Sequence, residues 1–320
     1  MEVLRKHIDS ENSAEHRHGG LYTWSTKRQM KENFASRKPE WLRMKRPVGD
    51  KYQTVRRALS AGSLHTVCEE ARCPNKAECW DAGTATFMIL GDKCTRGCSF
   101  CAVTRGNPEG QVDLQEPERI ADAVQQMKLE YAVLTSVTRD DLSDGGAVVY
   151  AETIKRIKSL DSSPLVEVLI PDYSGEQLDL VLAAGPAVVS HNIEVVERLS
   201  VLYRHKSFSY ARSLETLRQI SERGGGALAK SSLMLGFGET EEEIDMAMRN
   251  LVDAGVKILV LGQYLQPTRN HAPVFEYLTP ESFERLRERG LALGFDFVAA
   301  GPLVRTSYRA AEVFVQRQQD

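Results

Sequence analysis

Thr86-Phe-Met-Ile-Leu90, followed at once by Gly91-Asp-Lys-Cys94-Thr-Arg-Gly-Cys98-Ser-Phe-Cys101, is the stretch on which the fold turns. The first five residues make a short apolar run of the kind that forms a buried strand, and the glycine opens a polar loop behind it. The same rhythm recurs along the chain. Further apolar runs occupy residues 131–136, 165–170, 187–190, 232–235 and 257–261, each bounded by Gly, Pro or polar residues. Amphipathic helical patterns at 118–129, 147–160, 175–184, 212–223 and 241–254 lie between them, and another at 280–290 follows the last. Thr240-Glu-Glu-Glu243 reads as a capping box. Six strands alternating with helices predict a parallel α/β sheet, barrel-like or open and doubly wound. In either architecture the working site lies at the C-terminal ends of the strands. The polar clusters fall there, at residues 92–101, 138–146, 191–192, 236–239 and 263–271.

The whole chain has 320 residues, a formal net charge of −3, 42% hydrophobic and 27% charged residues. That length suits one α/β barrel or two smaller domains, and the mixed composition excludes a disordered or collagen-like chain. No apolar run approaches the roughly 20 residues of a membrane helix. The first residues lack an apolar leader and include Glu2, Asp9 and Glu11, so a cytoplasmic location is expected. Residues 1–66 hold 14 Lys/Arg against 7 Asp/Glu, while the remainder is net −10. The basic pairs between Lys27 and Arg57 read most simply as a solvated arm, or as a docking surface for an acidic partner. Trp24, Phe34 and Trp41 are not arranged among them as a stacking platform, so nucleic acid is not expected.

All six cysteines fall between Cys68 and Cys101, as two triads: Cys68-x4-Cys73-x5-Cys79 before the first strand and Cys94-x3-Cys98-x2-Cys101 after it. Each triad leaves an odd thiol, which argues against a disulfide framework. His65 with the first triad can be drawn as a tetrahedral zinc site. The second triad has no fourth ligand nearby; it suits a cubane iron–sulfur cluster with three irons held and one free. A free iron at a strand-end mouth can be chelated by the amino and carboxylate groups of a methionine-type ligand. One electron delivered to the adjacent sulfonium then yields an alkyl radical able to attack unactivated C–H bonds. Phe100 would cover such a cluster and offer an edge to a nucleobase.

Cys94-Thr-Arg-Gly-Cys98-Ser-Phe-Cys101 resembles the signature of the radical S-adenosylmethionine (SAM) superfamily. Combined with Cys68-Glu-Glu-Ala-Arg-Cys73-Pro-Asn-Lys-Ala-Glu-Cys79-Trp, it resembles the lipoyl synthase family. The likeness takes in Thr135-Ser-Val-Thr-Arg-Asp-Asp-Leu-Ser-Asp-Gly-Gly146, Leu233-Met-Leu-Gly-Phe-Gly-Glu-Thr240, Gly262-Gln-Tyr-Leu-Gln-Pro267 and Arg305-Thr-Ser-Tyr308. It implies a partial (βα)6 TIM-type barrel with N- and C-terminal extensions. The implied segments are a polar arm (1–36), an auxiliary-cluster segment (37–83), the barrel (84–300) and a tail (301–320). The implied reaction is insertion of two sulfur atoms at C6 and C8 of a protein-bound octanoyl-lysine, with SAM as co-substrate and two [4Fe-4S] clusters. Implied partners are octanoylated carrier domains, of H-protein or 2-oxoacid dehydrogenase E2 type, and an electron donor such as flavodoxin or ferredoxin. Rival readings are a radical SAM sulfur-inserting enzyme with another substrate and a zinc-stabilised binding protein.

By the same resemblance, Cys94, Cys98 and Cys101 hold the SAM-cleaving cluster, while Cys68, Cys73 and Cys79 hold the auxiliary, sulfur-donating cluster. Its fourth ligand is assigned to Ser307, with Thr306 as the alternative, because the family's Arg-Ser-Ser-Tyr tetrad here reads Arg-Thr-Ser-Tyr. An alkoxide is a harder partner for iron than a thiolate, which suits a ligand that must let go. SAM contacts are expected from Asn192, Arg212, Gly236 and Glu239. Arg139, Asp140 and Asp141 are read as SAM or substrate contacts, or alternatively as a loop ion-pair network. For Gly236 and Glu239 the alternative is a capped strand–helix turn. His191 and His271 are read as structural donors with a lesser case for a site role. Ser190-His191-Asn192 and Arg204-His205-Lys206-Ser207 depart from the family's usual Asn-His-Asn and Val-Arg-Pro.

Overall fold

The computed structural model describes residues 37–43, 50–81 and 85–307. The basic pairs within 27–36 and 44–49, and Tyr308, lie outside the described residues. A first helix, α1 (Asp50–Ala61), leads to a two-residue strand, β1 (His65–Thr66), and two short helices, α2 (Val67–Glu70) and α3 (Lys76–Asp81). The strand β2 (Thr86–Ile89) follows, then a small ribbon of β3 (Lys93–Cys94) and β4 (Thr104–Arg105). The repeating units come next. They run α4 (Glu116–Gln126), β5 (Tyr131–Ser136), α5 (Ala147–Lys158), β6 (Leu165–Leu169), α6 (Glu176–Ala183) and β7 (Val188–Ser190). The chain continues through α7 (Glu197–Tyr203), α8 (Tyr210–Arg223), β8 (Leu228–Leu235), α9 (Glu241–Asp253), β9 (Ile258–Gln263), α10 (Pro280–Leu293) and β10 (Phe297–Gly301).

One eight-stranded sheet runs β1-β2-β5-β6-β7-β8-β9-β10, parallel throughout except for β1, which pairs antiparallel with β2. All six expected strands are present, and the sheet gains a seventh parallel strand in β10. Phe-Val-Ala-Ala-Gly has only one β-branched residue, so it carries little strand signal of its own. Its place is set by pairing with β9, Phe297 opposite Ile258 through Gly301 opposite Gly262. The capping box forms as expected: the Thr240 hydroxyl accepts from the Glu243 amide and the Glu243 carboxylate accepts from the Thr240 amide.

Strand alternation sorts the side chains. Phe87, Ile89, Leu134, Val168, Val189, Leu233 and Leu261 face outward and join the helices' Val124, Ile154, Val181, Leu217, Met248 and Phe283 in one continuous core. The opposite face is layered. Val188 and Ile258, with Leu228 and Phe297 against them, form a small apolar plug. Beside it lies a fully buried ion pair, Lys230 Nζ to Glu167 Oε1 at 2.7 Å. Tyr131 Oη donates to the other carboxylate oxygen at 2.7 Å and Ser190 Oγ to the first at 3.3 Å. The same face then opens into a cavity bounded by Thr86, Met88, Val133, Thr135, Leu169 and Met234. Side chains from β2 at the start of the parallel set and the segment after β10 at its end line this one space, so the sheet is curled as a partial barrel.

Candidate active site

The cavity measures about 460 Å3, and Cys68, Cys73, Cys94, Cys98 and Cys101 all line it. Cys79, on α3, is half-buried against the core instead. All six thiols are free.

The Cys94–Cys101 loop is held from several sides. Leu90, at the end of β2, adopts a left-handed φ of 69°. Its amide donates to Glu116 Oε2 at 2.8 Å and its carbonyl accepts from Arg139 Nη1 at 3.2 Å, which fixes the strained exit. Thr95 N donates to Thr138 O, Ser99 N to Tyr203 O, and Ala272 N to Ser99 O. His271 Nε2 lies 3.0 Å from the Cys101 carbonyl. Arg96 spans Asp140 and Asp172, tying the loop to the next two strand ends. The amide of His205 donates to Cys98 Sγ at 3.3 Å.

The first triad arrives by a different route. Antiparallel pairing of Thr66 with Phe87 brings Cys68 alongside the start of β2. The tail returns to the same place: Asn75 Nδ2 donates to Leu303 O at 2.5 Å, and Thr86 Oγ1 donates to Ser307 Oγ at 2.8 Å. Arg305 is half-buried with its charge near Cys73. The two candidate hydroxyls part company here. Thr306 Oγ1 accepts from Asn192 Nδ2 at 3.2 Å, whereas Ser307 sits against Thr86.

Burial pushes the Cys68 thiol up to about 11 and the Cys101 thiol up to about 12, with Cys73 and Cys98 also raised. Thiols so placed keep their protons at neutral pH unless a cation replaces them, so metal loading must release protons. Among the described residues, no three His, Cys, Asp or Glu side chains converge as the ligands of one ion must. His65 pairs with Glu70, Nδ1 to Oε1 at 3.2 Å, rather than joining the cysteines. Thiolates of a cubane each take a separate iron, and the donor set fits that arrangement.

The remaining expected contacts divide sharply. Phe100 and Asn192 line the cavity. Arg139, 1% exposed, does not: its guanidinium grips Asp141 with two bonds of 2.8 Å and also bonds Leu90 O and Gln111 O. Arg139 and Asp141 are therefore a pin between loops, and Arg139 holds Asp141 down to about pKa 2. Gly236 and Glu239 form a self-contained turn, the Glu239 carboxylate accepting the amides of Gly236 and Phe237. Arg212 is exposed and bonds Asp172 and Ser207 O. His191 lines the cavity, but its nitrogens are engaged by Ile170 O and Ser213 Oγ, both at 3.0 Å, and burial lowers its pKa to about 4.

Glu194 and Phe208 line the cavity and were passed over by motif reading, while Ser136 and Arg204, both inside quoted motif stretches, were given no site role. For Glu194 and Phe208 the available signal was position alone, just after β7 and on the loop after α7. Glu194 is half-buried, its carboxyl raised by desolvation and steadied by the Arg204 charge. Arg204 and Arg96 flank Phe208, each with its guanidinium carbon 4.2 Å from the ring centroid. Asn192 Oδ1, Ser136 Oγ and Arg204 Nε are buried without a partner. A wall with opposite charges and three unpartnered polar atoms fits the zwitterionic head of an amino-acid-derived ligand such as SAM.

The chain matches the model of the radical SAM superfamily over residues 88–251 and that of the N-terminal domain of lipoyl synthase over residues 6–73. Lipoyl synthase of Thermus thermophilus is 51% identical over 284 residues, covering 88% of each chain. That of Flavobacterium johnsoniae is 48% identical, covering 87% of this chain and 96% of its own. Among solved structures, methylornithine synthase superposes with a TM-score of 0.52 at 12% identity, covering 83% of this chain and 88% of its own. The hydrogenase maturase HydG of Carboxydothermus hydrogenoformans gives 0.50 at 13% identity, covering 84% of this chain and 78% of its own. These two likenesses speak for the fold alone.

Proposed function

The chain belongs to the lipoyl synthase family of radical SAM enzymes, and from that premise we propose how its residues divide the work of sulfur insertion. The reaction places sulfur at C6 and C8 of an octanoyl chain carried on a lysine of a lipoyl carrier domain. When bound, SAM on its [4Fe-4S] cluster supplies a primary alkyl radical, and the auxiliary [4Fe-4S] cluster supplies sulfur.

Cys94, Cys98 and Cys101 hold the first cluster, with the His205 amide on Cys98 Sγ easing the thiolate charge. Glu194, Arg204 and Asn192 hold the amino-acid head of SAM. Cys68, Cys73, Cys79 and Ser307 hold the auxiliary cluster, and the Arg305 charge beside Cys73 favours its thiolate. Met88, Val133, Leu169 and Met234 give the octanoyl chain an apolar wall and keep water from a carbon radical. The observation that carries this reading is that five of the six cysteines and Ser307 open on one cavity. The two sets of cysteines would then present the hydrogen-abstracting and the sulfur-donating chemistry to the same stretch of octanoyl chain.

The carrier is of the H-protein or 2-oxoacid dehydrogenase E2 type, and the electron donor is a flavodoxin- or ferredoxin-like protein acting in the cytoplasm. No helix among the described residues is long and apolar enough to cross a membrane. The test is anaerobic incubation of the iron-loaded protein with SAM, a reductant and an octanoylated carrier peptide, followed by mass spectrometry. A product carrying two added sulfurs is expected. Cleavage of SAM with an unchanged peptide would sink the assignment of substrate while leaving radical chemistry intact.

A further inference from the structure

We propose that Thr86 is the positioning residue for the serine ligand of the auxiliary cluster, its hydroxyl donating a hydrogen bond to Ser307 Oγ in the metal-bound state. The inference rests on the reading of Ser307 as that ligand.

Thr86 is the first residue of β2 and is 7% exposed. Its place is fixed in the ladder, opposite Val133 of β5. Its hydroxyl lies 2.8 Å from Ser307 Oγ, across 221 residues of sequence. Its backbone also hydrogen-bonds the Cys68 thiol, because β1 runs antiparallel beside β2 and delivers Cys68 there. One residue therefore touches two of the four ligand positions, one through its backbone and the other through its side chain. The neighbouring hydroxyl, Thr306, is turned to Asn192 instead.

A serine binds iron as the alkoxide. An O–H donor aimed at an ionised oxygen makes a short, charge-assisted bond, stronger than one between neutral groups. Thr86 thus steadies the alkoxide while it is bound and gives the Ser307 oxygen a partner once the iron has left. The tail is aligned for this by the Asn75 side chain, which donates to Leu303 O. A structural role for Thr86 alone would predict that its methyl group, not its hydroxyl, matters.

The test compares the full-length, iron-loaded protein with Thr86→Val, Thr86→Ala, Thr86→Ser and Ser307→Ala. The first readout is the rate at which a ferrous chelator removes iron. The second is the EPR line shape of the reduced auxiliary cluster, recorded with Cys94, Cys98 and Cys101 replaced by alanine. Thr86→Val and Thr86→Ala should shift the line shape away from the parent's, by less than Ser307→Ala does, and release auxiliary iron about tenfold faster than the parent, the loss of one charge-assisted bond. Thr86→Ser should restore both. Valine and alanine variants that match the parent while Ser307→Ala differs would overturn the role of Thr86. A serine variant as altered as the valine variant would overturn it too, by tracing the effect to packing. Ser307→Ala indistinguishable from the parent would remove the ligand reading itself, and the proposal with it.

Discussion

At the residue scale, the sharpest lesson is that chemistry-bearing side chains near a site need not serve it. Arg139, Asp141, Gly236 and Glu239 sit where the strand ends gather, and all four hold loops rather than face the cavity. Gly236 has φ 106°, and a Cβ there would lie 2.6 Å from the Glu276 carbonyl oxygen. Gly236→Ala should therefore cost about 2–4 kcal/mol in chemical denaturation, from strain and overpacking together. Asp141 gives a pH signature. Its folded pKa, about 2, lies below the unfolded value, so its stabilisation is complete above the unfolded pKa near 3.9 and vanishes as pH falls through 2. Denaturation of parent and Asp141→Asn should show a constant gap from pH 5 to 8 that closes between pH 4 and 2. These roles were hidden from the sequence because a carboxylate on a loop reads alike whether it meets a ligand or an amide. The cysteines were legible because thiol spacing is rare outside metal sites and redox motifs.

At the scale of elements, periodicity located the six long-signal strands and the helices that flank them. It missed β10, whose alanines and glycine are placed by pairing with β9. It also missed the inner layer, since Glu167 and Lys230 are far apart in sequence and are brought together by the strand order, with β6 and β8 flanking β7. That pair closes off the barrel interior with both charges buried, and Tyr131 and Ser190 complete its hydrogen bonds. Lys230→Met leaves the carboxylate without its counter-ion and should destabilise the protein by about 3–5 kcal/mol. Lys230→Met combined with Glu167→Leu should recover much of that loss, because neither charge then remains buried. Thermal and urea unfolding of the single and double variants check both outcomes. A double variant no better than the single would assign the cost to packing instead.

At the scale of the whole molecule, the fold joins two stretches flanking β2 and the distant tail around one space. The loop after β2 supplies one cysteine triad, and the segment before β2 supplies Cys68 and Cys73. The segment after β10 supplies Ser307. The departures from the family pattern have physical settings as well. Ser190 bonds the buried Glu167, and Arg204 takes the place beside Glu194 and Phe208 on the cavity wall. The spacing of the triads announced iron–sulfur chemistry, but the opening of five of the six cysteines on a single cavity is a property of the fold.

The central claim is that the two triads serve one substrate in that cavity with separate duties. The direct measurement uses Cys73→Ala, loaded with iron and given SAM, reductant and a carrier peptide whose octanoyl chain is deuterated. Mass spectrometry follows both the 5′-deoxyadenosine and the peptide. Deuterium in the nucleoside with no sulfur on the peptide is the predicted result, since hydrogen abstraction survives and the sulfur source is gone. Sulfur on the peptide, or nucleoside without deuterium, would contradict it.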